Sequence, residues 1–301
     1  MTELPAPAPR RLGPDGPQVS PIAWGMWRFQ GDDTARARAL IEAALDAGVT
    51  LFDTADIYGP DNGEAFGAAE ALLGRVFAEA PRLRERLVLA TKGGIVIGTP
   101  YDSSAAYLAA AIDASLRRLG TERVELWQIH RPDILTHPHE VAEALMAAHR
   151  SGKIGAIGVS NFTAPQVSAL QRFLPVPIAV HQIELSPVHV APFENGLSDQ
   201  AIAMGMAVLA WSPLGGGRLG APGDERARAV AQALDAKAGE AGVSRAAVAY
   251  SWIMAHPSGA IPIVGTQQPE RIREIPSALT VRWTRAEWYA VLVAARGERL
   301  P

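Results

Sequence analysis

The chain has 301 residues, no cysteine, a formal net charge of −3 and 20% charged residues. Disulfides, thiol catalysis and thiolate metal sites are excluded, and no basic footprint points to nucleic acid. The length fits one large α/β barrel or two ordinary domains. Met1–Gly16 has no continuous apolar core of a signal peptide, and no run approaches ~18 uninterrupted apolar residues. Neither a targeting segment nor a membrane span is expected, and the cytoplasm is the expected location.

Met1–Arg10 carries three prolines and no apolar period, so it reads as a loose leader ahead of a single domain over 11–301. Gly13, Asp15 and Gly16 make a polar turn between Arg11–Leu12 and Val19–Ile22, which is either a small hairpin or a plain surface loop. Eight apolar runs then read as strands: Ile22–Gly25, Thr50–Asp53, Leu87–Thr91, Val124–Ile129, Ala156–Val159, Ile178–Gln182, Ala207–Trp211 and Ile261–Val264. Amphipathic stretches alternate with them: Asp33–Ala47, Glu64–Ala78, Ser103–Leu119, His139–Arg150, Ala164–Phe173, Asn195–Met204, Glu225–Ala241 with Ser244–Ala255, and Glu270–Ile275. Arg285–Ala295 is an extra terminal helix. Gly48, Gly120 and Gly152 follow helical stretches as stop signals.

The strand runs are apolar throughout, the pattern of strands buried on both faces of a parallel sheet. Eight such strand-helix units predict an α/β fold closed as a (β/α)8 TIM barrel, with a doubly wound open sheet as the rival.

Barrel enzymes place chemistry where strands end. The second run ends in Asp53, followed by Thr-Ala-Asp-Ile57-Tyr58-Gly; the third ends in Lys92, and the fourth in His130. Singly, each has an ordinary reading: a turn aspartate, a half-buried tyrosine, a solvated lysine, a structural histidine. Together they form an acid/base device. Hydride arriving at a carbonyl carbon leaves charge on oxygen, which needs a proton. A tyrosine hydroxyl, with an unperturbed pKa of ~10, is a poor donor unless a cation stabilises its anion. At 4 Å and an effective dielectric of about 20 that attraction is ~4 kcal/mol. Desolvation and the charge of Asp53 oppose it, so a net lowering of about one or two pKa units is expected for Tyr58. A neutral His130 would orient the carbonyl oxygen.

Phe-Asp53-Thr-Ala-Asp-Ile-Tyr58-Gly, Thr-Lys92-Gly, Gln-Ile-His130-Arg-Pro and Gly152-Lys-Ile-Gly-Ala-Ile-Gly-Val-Ser160-Asn161-Phe resemble the signature blocks of the aldo-keto reductase superfamily, over about Pro21–Ile275. His-Arg-Pro-Asp, Ser186-Pro-Val-His and Trp211-Ser-Pro-Leu-Gly-Gly-Gly-Arg-Leu look most like its bacterial YdhF-like oxidoreductase branch. The resemblance implies a catalytic tetrad of Tyr58, Asp53, Lys92 and His130, and an extended NADPH across the C-terminal rim. It implies Ser160, Asn161 and Gln182 at the carboxamide and Trp211 beside the nicotinamide ring. Ser212, Leu214, Gly215 and Gly217 would then cover the pyrophosphate, with Thr266, Gln267, Arg271 and Glu274 at the adenosine end.

Two departures bear on the cofactor. Gly265 stands where many members have a lysine for the 2′-phosphate, and Ile275 where many have asparagine. Arg271 remains and suits a phosphate, so NADPH is expected, with NADH not excluded. Gly215-Gly-Gly-Arg-Leu-Gly220 matches a dinucleotide fingerprint, but Pro222 and Gly223 follow, so no helix starts there and a flexible clamp is expected. His137, His139, His181 and His189 with Asp133 and Glu184 match no ligand spacing, so no metal is expected. Trp27, with Ile57 and Phe162, is expected to wall a substrate pocket.

The reading is an NADP(H)-dependent aldo-keto reductase that reduces a small-molecule aldehyde or ketone by direct hydride transfer. No nucleic acid, membrane or obligate protein partner is expected. The alternatives are a cofactor-binding docking subunit with little turnover, and a barrel hydrolase or isomerase.

Overall fold

Side chains alternate between the two faces of a strand, and here the alternation separates two apolar layers. The computed structural model describes residues 3–14 and 16–300. Eight parallel strands close into a barrel: β3 (Ala23–Gly25), β4 (Leu51–Asp53), β5 (Val88–Gly93), β6 (Val124–Ile129), β7 (Ile154–Ser160), β8 (Val180–Glu184), β9 (Ala207–Trp211) and β10 (Ile261–Val264), with β10 beside β3. Ala23, Leu51, Ala90, Leu126, Val180, Leu209 and Ile263 fill the barrel, while Trp24, Phe52, Leu89, Trp127, Ile157 and Val208 face the helical shell. All eight expected strands are present, in closed rather than open order.

Ahead of them β1 (Arg10–Arg11) pairs antiparallel with β2 (Gln18–Val19), so the polar turn belongs to a hairpin; its Asp15 lies outside the described residues. The hairpin's Leu12 and Val19 are buried in the cluster that fills the barrel. Of the expected loose leader, Met1 and Thr2 lie outside the described residues. Glu3 bridges Thr284, the Leu4 amide donates to the Trp283 carbonyl at 2.8 Å, and Leu4 packs on the core. One apolar residue anchors the segment without setting up a period.

The helices begin where capping groups stand. Asp33, Ser104, Thr163, Ser244 and Thr284 each accept a backbone N–H of the first turn. Gly120, Gly242 and Gly297 end helices in the left-handed conformation. The helix expected from Glu64 starts at Ala68, because a 3-10 turn over Pro60–Asn62 and a loop precede it. A short helix, Pro81–Arg84, escaped the periodicity because four residues make one turn. No helix among the described residues is long and apolar enough to cross a membrane.

The terminal helix Arg285–Arg296 closes the shell through Trp288, stacked on Trp252 at 4.7 Å and 10°. Each indole N–H donates to the other residue's carbonyl at 3.0 Å. Trp252 is fully buried. Trp252→Ala is expected to cost about 3–5 kcal/mol, read as a fall in urea midpoint; a loss below about 1 kcal/mol would remove this pair from the fold's supports.

Candidate active site

The inward register of β4 to β9 delivers polar or amphipathic residues to the C-terminal rim. Above the apolar layer of Leu51, Ala90, Leu126, Val180 and Leu209 come Asp53, Lys92, Gln128, Gln182 and Trp211, two residues further along each strand. Ser160 ends β7 in register with Gln182. Gly158 makes this layer possible: a Cβ there would stand 2.8 Å from Gln128 Cγ, a contact ordinary side chains do not make.

Lys92 Nζ is 2.6 Å from Asp53 Oδ2 and donates to the Thr54 carbonyl at 2.8 Å. Both partners are buried, Lys92 completely. The other Asp53 oxygen accepts from Gln182 Nε2 at 2.9 Å and from Gln128 Nε2 at 3.3 Å. Gln182, expected at the carboxamide, thus spends its amide N–H on Asp53. Gln128 was missed by the sequence reading, although a polar residue two before His130 in an apolar strand was its signal. Lys92 Nζ lies 5.0 Å from the Tyr58 ring centroid, and the Tyr58 and His130 rings meet edge-on at 6.0 Å.

A second chain of contacts braces the rim. The Asn161 Nδ2 group donates to the His130 carbonyl at 3.2 Å and to Ser160 Oγ at 2.8 Å, and Asn161 Oδ1 accepts the Trp211 indole N–H at 2.9 Å. Asn161 holds a positive φ of 61° and Ser212 one of 49°, conformations rare outside glycine and most tolerated by asparagine. The Arg131 guanidinium lies 5.9 Å from the Trp211 ring.

These groups open on one cavity of about 1490 Å³. Small-molecule pockets usually hold about 300–1,000 Å³, so there is room for a dinucleotide and a substrate together. Asp53, Tyr58, His130, Ser160, Asn161, Gln182 and Trp211 line it from the ends of β4, β6, β7, β8 and β9 and the loops that follow them. Ser212, Leu214 and Gly217 line it after β9, and Thr266, Gln267, Arg271 and Glu274 after β10. Trp27 and Ile57 also line it; Trp27 is exposed, with its indole N–H on Asp61 Oδ2 at 3.2 Å. Lys92 and Gly215 do not line the cavity. Neither does Phe162, which packs into the outer core because the left-handed turn at Asn161 sends the chain away from the rim. The glycine run forms one 3-10 turn over Gly215–Gly217, and the next α-helix waits until Glu225. No α-helix opens from the run, as Pro222 and Gly223 led one to expect, and its glycines tolerate the positive φ that the turn adopts.

The residues fit an extended dinucleotide. Gly216 and Gly217 leave their backbone open to the cavity, since a Cβ at either would meet nothing within 4 Å. Polar side chains line it after β7, β8 and β10, and Trp211 offers a flat apolar face to it.

Protonation follows from burial and neighbours. Burial raises the Tyr58 phenol above the ordinary tyrosine range; Lys92 pulls it down, while Asp53 and Asp56 add to the rise. The expected net lowering is therefore corrected: lost solvation and two carboxyls outweigh one cation. Burial pulls Lys92 down, but Asp53 and Tyr58 more than offset it, and the ammonium is held above its usual value. Burial, then Lys92 and Arg131, hold His130 well below the histidine range, so its imidazole is neutral. Its Nδ1 has no hydrogen-bond partner among the described residues.

Asp56 lies on the outer side of β5, against Gly93 and Trp127, and neither carboxyl oxygen has a hydrogen-bond partner. Burial and the neighbouring Glu70 push it up to about 8 from an ordinary 3.8. The unfolded chain thus gives up this proton near its ordinary value, while the folded one keeps it until about pH 8. Stability from this group is full below the ordinary value and is lost as pH rises through the folded one. Asp56→Asn, which cannot ionise, is expected to flatten that decline and to gain on the order of a few kcal/mol over the parent at alkaline pH. Urea unfolding at acid and alkaline pH checks this; an unaltered slope contradicts it.

Comparison with known proteins places this geometry. The Aldo/keto reductase family matches residues 21–292. A 6-dehydroglucose reductase of Novosphingobium aromaticivorans is 59% identical, covering 100% of both chains. The oxidoreductase YdhF of Escherichia coli is 38% identical over 96% of this chain and 98% of its own. The solved glycerol dehydrogenase of Gluconobacter oxydans superposes with a TM-score of 0.82 at 27% identity, covering 99% of this chain and 97% of that one. An eight-stranded barrel with its polar residues at the strand ends, matched along its whole length, makes this chain a member of the aldo/keto reductase family, an oxidoreductase of its bacterial branch.

Proposed function

We propose that the protein reduces an aldehyde on a polyhydroxylated compound to the alcohol, with NADPH as cofactor and Tyr58 as proton donor. The observation that carries this reading is the buried Asp53–Lys92 pair set beside Tyr58 at one end of a dinucleotide-sized cavity. The substrate class comes from the full-length relative named for reducing 6-dehydroglucose. That compound's C6 aldehyde would become a primary alcohol.

NADPH, when bound, supplies the hydride to the carbonyl carbon. The chain's own residues handle the charge left on oxygen. Tyr58 is protonated throughout the neutral range, so the donor is always loaded. As the carbonyl oxygen turns into an alkoxide, the Tyr58 O–H bond breaks and the alcohol O–H forms. The phenolate left behind sits beside the Lys92 ammonium, which Asp53 keeps charged and fixed. Preorganised charge of this kind acts where charge develops and needs no reorientation. Neutral His130 donates an N–H to the same oxygen and orients it. Water from the cavity returns the proton to Tyr58.

Ser160, Asn161 and Gln182 would hold the carboxamide, with the free Gln182 oxygen as an acceptor, and Trp211 would lie against the nicotinamide. Ser212, Leu214 and Gly217 would follow the pyrophosphate, and Thr266, Gln267, Arg271 and Glu274 the adenosine. Trp27 and Ile57 would wall the substrate end.

The test is a panel of aldehydes, 6-dehydroglucose among them, assayed with NADPH and with NADH. Turnover with NADPH and a loss of about 10³-fold or more in Tyr58→Phe, with NADPH still bound by fluorescence, is the expected result. Unimpaired turnover in Tyr58→Phe would require a different donor, and better kcat/KM with NADH would overturn the cofactor.

A further inference from the structure

The part of the cavity expected to take the adenosine lacks a cation at Gly265, yet the neighbouring helix Thr34–Asp46 brings one to its lining. That helix packs along helix Pro269–Arg273. Asp33, Arg36, Ala37 and Leu40 all line the cavity, and their spacing puts them on a single helix face. Ala37 and Leu40 are buried there, whereas Arg36 is exposed on the first turn. Arg271 and Ile275 line the same cavity from the adjoining helix and the turn after it. No ion pair among the described residues engages either Arg36 or Arg271. Other arginines are committed to carboxylates, Arg118 to Glu70 and Arg245 to Asp235 among them; Arg28 and Arg131 also line the cavity without an ion pair among the described residues, but Arg28 lies over Trp27 and Arg131 over Trp211.

We propose that Arg36 and Arg271 form a two-arginine clamp for the 2′-phosphate of NADPH, with Arg36 replacing the lysine that Gly265 lacks. The inference rests on the dinucleotide reading of the cavity and deepens it. A phosphate monoester carries nearly two negative charges at neutral pH and accepts through three oxygens. Two planar guanidinium forks from two adjacent helices match it better than one. Asp33 does not compete for Arg36, because one of its oxygens caps the helix on the Arg36 backbone N–H at 2.9 Å. Without the 2′-phosphate, Asp33 and Glu274 would face a ribose hydroxyl and the clamp would have nothing to hold. Arg36 therefore sets the preference between the two cofactors, from an element that carries none of the signature blocks.

The test is the dissociation constants of NADPH, NADH and 2′,5′-ADP, by fluorescence or calorimetry, for the parent, Arg36→Ala and Arg36→Lys. The expected result is a loss of about ten-fold or more for NADPH and 2′,5′-ADP in Arg36→Ala, partial recovery in Arg36→Lys, and an unchanged NADH constant. An equal loss for NADPH and NADH, or no loss for either, overturns the clamp. A parent that binds NADPH while Arg36→Ala is unaffected refutes this inference alone. A parent that binds neither dinucleotide refutes the reductase reading beneath it.

Discussion

The site depends on one buried ion pair. Moving a lysine ammonium out of water into a barrel interior carries a penalty of several kcal/mol, which attraction offsets only where the geometry and the remaining hydrogen bonds are good. Here they are. Lys92 has the Asp53 carboxylate and the Thr54 carbonyl, and Asp53 has the amides of Gln128 and Gln182 on its second oxygen. The network draws one residue from each of four strands, so it needs the strand register that a closed barrel supplies. It also needs Gly158, whose missing side chain leaves the space that Gln128 occupies.

A second layer of constraint lies above the first. Asn161 ties β7 to the end of β6 through His130 and to β9 through Trp211, in a backbone conformation that few other residues adopt. His130 and Trp211 are thereby held at fixed places on the rim that also carries the proposed donor Tyr58. His130 is kept neutral there by its burial first, and then by Lys92 and Arg131, which both disfavour its charged form. A high phenol pKa is compatible with proton donation for a physical reason. A donor must first be protonated, and a nearby cation helps most at the moment its anion forms.

Much of this could be read from the chain alone, and the reason is periodicity. Strands buried on both faces leave apolar runs, and the polar residues that interrupt them, Asp53, Lys92 and His130, mark the rim. Gln128 follows the same rule but sits inside a run and was passed over. The Tyr58 pKa was misjudged because a sequence names the cation and not the depth of burial or the carboxyl of Asp56. Phe162 was expected at the pocket wall; the left-handed turn at Asn161 that redirects it depends on a φ no residue pattern states. Arg36 carried no signal at all, since its position over the cavity follows from how two helices pack across the point where β10 meets β3.

The central claim is that the Lys92 cation lowers the cost of forming the Tyr58 anion. The direct measurement is an NMR titration of ¹³C-labelled Tyr58 in the parent and in Lys92→Met. The account predicts a phenol that stays protonated through neutrality in both and ionises at distinctly higher pH once the cation is gone. A Tyr58 titration that is the same with and without Lys92 would contradict it.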